Sequence, residues 1–214
     1  RRAGAEERWR LVISLENPVA DLSDLGERER GNERVPDVLG AVAMDYPLLR
    51  LRVAVLGRLL ESRDDRSLAG GVNLTGRLQL PFLSEHGDNL AFQGQIGTGI
   101  GRYYVGLAGT GSDGVIDENG QVDTMRTFGG YIAFQHWWTA RLRSTATVSY
   151  QRFDPVNDEV VVPLRHAGYY AINLFWSPTE GATFGMDAIY ATRRTSDGQL
   201  GTGVRIHSSA RFDF

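Results

Sequence analysis

The sequence predicts an all-β chain, an antiparallel transmembrane β-barrel, on three observations. Apolar and polar residues alternate with a period of two through one segment after another, and no stretch sustains the 3.6-residue period of an amphipathic helix. The alternating segments run to nine residues or more, the length a tilted strand needs to cross a bilayer. Their connections are short at one end and long at the other.

About ten strands are predicted, at 8–16, 37–45, 48–60, 69–81, 88–98, 127–137, 140–152, 165–176, 181–193 and 203–214. The first runs into a long acidic connection, 17–36, which carries Asp21, Asp24, Glu27, Glu29 and Glu33. Tyr46-Pro47 separates the second strand from the third, and 61–68 joins the third to the fourth. In the fourth, Asn73, Thr75, Arg77 and Gln79 alternate with Val72, Leu74, Leu78 and Leu80. Phe82 to Gly87 leads to the fifth, where Gln93 and Gln95 alternate with Leu90, Phe92 and Ile96. A long segment, 99–126, precedes the sixth, and Trp138-Thr139 closes the sixth on the seventh. The seventh sets Arg141, Arg143, Thr145, Thr147, Ser149 and Gln151 against Leu142, Ser144, Ala146, Val148 and Tyr150. Connections at 153–164, 177–180 and 194–202 separate the remaining strands. In the last, Val204, Ile206, Ala210, Phe212 and Phe214 oppose Arg205, His207, Ser209, Arg211 and Asp213.

Counting back from a periplasmic carboxy terminus puts every long connection on the extracellular side, as in outer-membrane barrels. Aromatic residues cluster at strand ends, as two interfacial belts would require. Trp9, Tyr46, Phe82, Trp137, Trp138, Trp176, Phe212 and Phe214 fall at the lower level, and Tyr103, Tyr104, Phe128, Tyr150, Phe153 and Tyr190 at the upper.

Composition narrows the function classes. The 214 residues contain no cysteine, which excludes disulfides and thiolate metal sites, and all 23 basic residues are Arg. A net charge of −3 argues against a nucleic-acid partner. No apolar run is long enough for a transmembrane helix, which leaves the closed barrel as the way to satisfy backbone groups in lipid. The amino terminus shows no signal-peptide core.

Which face meets lipid follows from energy, because an Arg at the bilayer midplane costs about 2–4 kcal/mol in a barrel. Arg50, Arg52, Arg58, Arg77, Arg141, Arg143, Arg205 and Arg211 share one parity, and that parity is expected to face inward. Inward acids are few, with Glu16, Asp45, Asp187 and Asp213 the candidates. Arg50, Arg52, Arg77, Arg141, Arg143, Arg205 and Arg211 are therefore the expected solute-binding, pore-lining residues. Rings of positive charge select anions, and the guanidinium fork matches carboxylates. For any single Arg, the competing reading is that it pairs with acids and braces an inserted loop.

No catalytic or cofactor constellation emerges. Gly97, Gly99 and Gly101 lack the spacing of a dinucleotide fingerprint, so glycine here is expected to bend the chain and fold a loop toward the pore. Asp117 to Gly120 reads as a turn, and the four His have no metal-binding spacing. Two alternatives to a channel stay open. One is an outer-membrane β-barrel hydrolase built on His207 and Ser209; the other is a soluble β-barrel holding an apolar ligand, with the Arg parity turned outward.

Several blocks resemble the DcaP-like porin family. They are Ile13 to Pro18, Gly71 to Arg77, Gly99 to Tyr103, Phe128 to Ser144 and Ile172 to Pro178, with Phe128 to Ser144 the most specific. The terminal Phe214 is similar to the signal read by barrel-assembly machinery. The resemblance implies a bacterial outer-membrane location, 16 strands, a homotrimer, an amino-terminal periplasmic coiled coil, contact with lipid and lipopolysaccharide, and uptake of dicarboxylates and other small anions. Against that pattern, 1–214 reads as one β-barrel domain corresponding to the carboxy-terminal part, lacking amino-terminal strands and the coiled coil. Direct pairing of the first and last strands is the other option.

Overall fold

The structure, a computed structural model, describes residues 8–24, 34–104, 111–154 and 164–213. Among them are thirteen strands and one 3-10 turn. The strands are β1 Arg8–Glu16, β2 Leu22–Asp24, β3 Asp37–Asp45, β4 Leu49–Glu61, β5 Arg66–Gln79, β6 Asn89–Thr98, β7 Gly114–Ile116, β8 Val122–Thr124, β9 Arg126–Thr139, β10 Leu142–Asp154, β11 His166–Thr179, β12 Ala182–Arg194 and β13 Leu200–Phe212. The ten long strands are those the alternation predicts, with ends displaced by up to three residues. They form one antiparallel sheet in the order β1-β3-β4-β5-β6-β9-β10-β11-β12-β13, so that each long strand pairs with the next long strand in the chain. A strand of 13 residues extends about 43 Å. Tilted by about 45°, it covers the ~30 Å hydrocarbon thickness.

Register keeps the two faces separate across the whole sheet. Side chains of directly opposed residues share a face. One continuous row runs Arg8, Asp45, Arg50, Arg77, Ala91, Ala133, Thr147, Ala171, Ile189, Arg205. The next row along, on the opposite face, runs Trp9, Met44, Leu51, Gly76, Phe92, Ile132, Val148, Tyr170, Tyr190, Val204. A one-residue slip anywhere would exchange the faces, so the pattern itself specifies the register.

The core lies where a soluble sheet would not put it. Three short strands, β2, β7 and β8, form a separate small sheet inside the predicted loops 17–36 and 99–126. This sheet packs on the Arg-bearing face of the wall. There Leu60, Ala69, Ala20, Leu22, Ile116 and Val122 form one buried cluster. Ile100, Tyr104, Val115, Met125 and Phe153 form a second, with Leu56, Tyr103 and Leu164 against it. Tyr103, Tyr104 and Phe153 thus belong to an interior cluster and not to an upper interfacial belt. Tyr104 and Phe153 meet edge-on at 5.1 Å, because the folded-back chain gives them apolar neighbours that an interface would not. The apolar face, by contrast, stays open, with Val204, Ile206 and Ile13 each more than 70% exposed. Soluble monomers rarely expose an apolar surface this continuous.

Glycine has a specific task at the bend. Gly99 has φ +63°, and a Cβ there would come within 2.6 Å of Ala69 Cβ and 2.8 Å of Leu60 Cδ1. Gly99→Val is expected to destabilise the chain by about 1–3 kcal/mol from backbone strain alone. Denaturant unfolding in detergent would measure the loss.

The sheet is open. Among the described residues β1 pairs only with β3 and β13 only with β12, so the first and last strands do not close on each other.

At the short-turn end, the β5–β6 connection is held by a buried carboxylate. Asp88 accepts from the Trp137 backbone N–H at 2.8 Å and from Ser84 Oγ at 2.7 Å, and its other oxygen lies 2.6 Å from His136 Nδ1. Burial pushes its pKa up, but these bonds outweigh it and hold the carboxyl below its ordinary range. A depressed acid contributes stability above its unfolded pKa and loses it as pH falls through the lower folded value. The Trp137 amide is therefore expected to stay protected from exchange at pH 5 and to lose protection only as the pH falls below the ordinary carboxylate range. Asp88→Asn should remove that acid transition.

Candidate functional site

The site is the Arg-bearing face and the small sheet folded onto it. β4 places Arg50, Arg52, Leu56, Arg58 and Leu60 on this face, at alternate positions. Arg50 stands opposite Arg77 on β5, and Arg52 opposite Thr75. Asp45 faces Arg50 from β3, 3.8 Å from its Nε, and takes a second ion pair from Arg10 at 3.0 Å. Arg10, Arg50, Arg52 and Arg77 thus lie near the short-turn end, Arg10 and Arg50 of them on Asp45. All four are solvent-exposed.

Arg58 shares this parity and does something different. Its side chain is 1% exposed, and its guanidinium bonds Asp37 at 3.2 Å, Asp113 at 2.8 Å, the Gly99 carbonyl at 2.9 Å and the Val19 carbonyl at 3.0 Å. One side chain from the wall thereby ties together both folded-in segments. Tyr103 completes the arrangement, donating to Asp37 at 2.9 Å and lying 3.0 Å from Glu16. Burial and these two carboxylates push its phenol above its ordinary range, so it stays protonated. Asp113 also accepts the backbone N–H groups of Asp21 and Arg102, each at 2.9 Å. Burial still pushes its pKa up, despite Arg58 and those two amides. The bracing role left open for any one Arg is the one Arg58 fills.

Beside this latch the face is unfilled. A recess of about 250 Å³ lies among Arg52, Asn73, Gln93, Gln95 and Tyr103. Asn73 Nδ2 donates to Gln95 Oε1 at 3.1 Å, and Thr75 Oγ1 to Asn73 Oδ1 at 2.8 Å. The amides of Asn73 and Gln95 are therefore held in place by each other and by Thr75.

The other expected pore residues are dispersed. Arg143 lies on the same face between the rings of Trp137, at 5.0 Å, and Phe175, at 5.2 Å. Arg205 and Arg211 are on the edge strand β13, opposite Ile189 and Thr183, and Arg211 pairs with Asp213 at 2.9 Å. Arg141 is not in a strand. It sits in the turn before β10, where Thr139 Oγ1 accepts the amides of Arg141 and Leu142, both at 3.1 Å. Sequence reasoning missed Arg10, Asp37, Asp113 and Tyr103. Arg10 alone was legible, from its place in the alternation of β1.

His207 faces Asp187 across the β12–β13 pair, and no hydrogen bond joins it to Ser209. No helix among the described residues is long and apolar enough to cross a membrane.

No protein-family model matches this sequence, and no curated protein matches it. A solved structure does. The wall superimposes on the crystal structure of the outer membrane channel DcaP of Acinetobacter baumannii with a TM-score of 0.81, over 96% of this chain, at 18% identity. The fold is that of a porin wall. The chain spans 59% of the length of that channel.

Proposed function

We propose that this chain is the wall of an outer-membrane porin through which small anionic solutes, carboxylates above all, diffuse passively. One observation carries the reading: Arg50, Arg52, Arg77, Arg143, Arg205 and Arg211 share the face onto which the chain folds its inserted segments, and the exposed opposite face is apolar. In a bilayer the apolar face meets hydrocarbon, and the Arg face then encloses water. Arg141, at the short-turn end, adds charge at the mouth. The solutes meet Arg10, Arg50, Arg52 and Arg77, and the amides of Asn73, Gln93 and Gln95 replace part of their hydration.

The folded-in sheet narrows the passage, and Arg58 fixes it there. The unpaired edges of β1 and β13 would each cost several kcal/mol per backbone group in lipid. Closure by further strands, as in a 16-stranded barrel, is part of this reading, as is assembly into a trimer. Passage needs no catalytic group and no cofactor.

The test is reversal potential in planar bilayers under a salt gradient. An anion-selective potential is expected, with conductance reduced by a millimolar small dicarboxylate. Cation selectivity would overturn the assignment.

A further inference from the structure

We propose that the outward face carries a site for one phosphorylated lipid of the outer leaflet, its acyl chain in a trough on the apolar face and its phosphate on a row of cationic side chains above. The proposal rests on the reading that this face meets lipid. It is independent of which ions pass inside.

The trough comes from two missing side chains. Gly94 and Gly130 stand directly opposite each other on β6 and β9, on the outward parity. Around them lies an open groove of about 670 Å³, walled by Val72, Leu74, Ile96, Phe128, Ile132 and Val148. Tyr150 closes its long-loop end, its ring 5.7 Å from that of Phe128. An apolar depression in a bilayer is filled by a hydrocarbon chain.

The cations begin where the trough ends. Arg152, His166 and Arg194 are consecutive partners in one row across β10, β11 and β12, on the same outward parity as Tyr150. Arg126 lies just beyond, opposite Asp154. The Tyr150 hydroxyl is 2.7 Å from His166 Nδ1, so one residue belongs to both trough and row. Among the described residues Asp154 stands against this row, and it engages Arg152 through Nε at 2.7 Å. Near the membrane interface an outward Arg costs only about 0–1 kcal/mol, so the position is tolerated. Tolerance does not explain three guanidiniums and an imidazole gathered above a groove. A phosphate does, because the guanidinium fork meets its oxygens two at a time.

The protein purified in a non-ionic detergent would be titrated with diphosphorylated lipid A, and with the same lipid stripped of its phosphates, by native mass spectrometry. A one-lipid adduct is expected, at least tenfold weaker for the stripped lipid and not displaced by inorganic phosphate. Arg152→Gln with Arg194→Gln should weaken it at least tenfold. So should Gly94→Trp, which leaves every cation in place; a Cβ at Gly94 meets nothing within 4 Å, so this variant should fold. Adduct formation unchanged in both variants, or equal for the two lipids, would overturn the site. Loss of an oligomer in Gly94→Trp with lipid binding intact would also overturn it, by making the trough a seat for a second copy. Reversal potentials of these variants should match the parent. A cation-selective parent that still binds lipid as described would refute the anion channel and leave this site standing.

Discussion

Arg58→Met is expected to destabilise the folded-in sheet by about 3–5 kcal/mol, the cost of removing one partner from a buried ion pair. Met keeps most of the stem and deletes the charge. It leaves Asp113 without its cation and Asp37 with Arg102, 3.6 Å away, both carboxylates being 0% exposed, and it strips a donor from the Gly99 carbonyl and one of two from the Val19 carbonyl. Most of the penalty is desolvated charge and not lost attraction, so removing the carboxylates should relieve it. Arg58→Met combined with Asp37→Asn and Asp113→Asn should recover a large part of the stability. Acid should act in the same direction. The Asp113 pKa is already raised, and without Arg58 it rises further, so the deficit narrows as pH falls and Asp113 takes a proton. Limited proteolysis in detergent at pH 8 and pH 5 measures both effects, with cleavage between residues 99 and 126 the signal. Equal protease resistance in parent and variant at pH 8 would mean that Arg58 is not the latch.

The second large effect is on selectivity. Arg50→Glu, Arg52→Glu and Arg77→Glu together change the charge near the short-turn end by six units, while Asp45 stays. The reversal potential is expected to change sign, from anion- to cation-selective, at 0.1 M salt. Screening sets the salt dependence: the Debye length is about 10 Å at 0.1 M and about 3 Å at 1 M. The difference from the parent should therefore shrink at 1 M. Stability should change little, because these side chains are solvent-exposed and only Arg50 holds an ion pair, at 3.8 Å. An unchanged reversal potential at low salt would place the permeating ions elsewhere.

The sheet was legible in the sequence because its information is local. Alternation fixes which residues share a face, and short turns such as Tyr46-Pro47 fix which strands meet. The latch was not legible, because its pairs are distant: Arg58 meets Asp37 across 21 positions and Asp113 across 55, and Tyr103 meets Asp37 across 66. Parity alone makes Arg58 look like Arg50 or Arg52. What separates them is the small sheet above Arg58, and strands of three residues are too short to leave a periodic signal. Arg141 was misplaced for a different reason. The Thr139 side chain caps the turn, and a register irregularity between Leu142 and Arg143 resets the alternation there.

Which face meets lipid is decided by two neighbouring residues. The chain has no cysteine, so single-cysteine variants carry no background. Thr147 and Val148 are adjacent in β10, opposite Ala171 and Tyr170 on the two faces of the sheet. In proteoliposomes, Thr147→Cys is expected to react quickly with a charged, water-soluble maleimide, and Val148→Cys to stay unlabelled until detergent is added. Fast labelling of Val148→Cys with protection of Thr147→Cys would put water on the apolar face and contradict the channel.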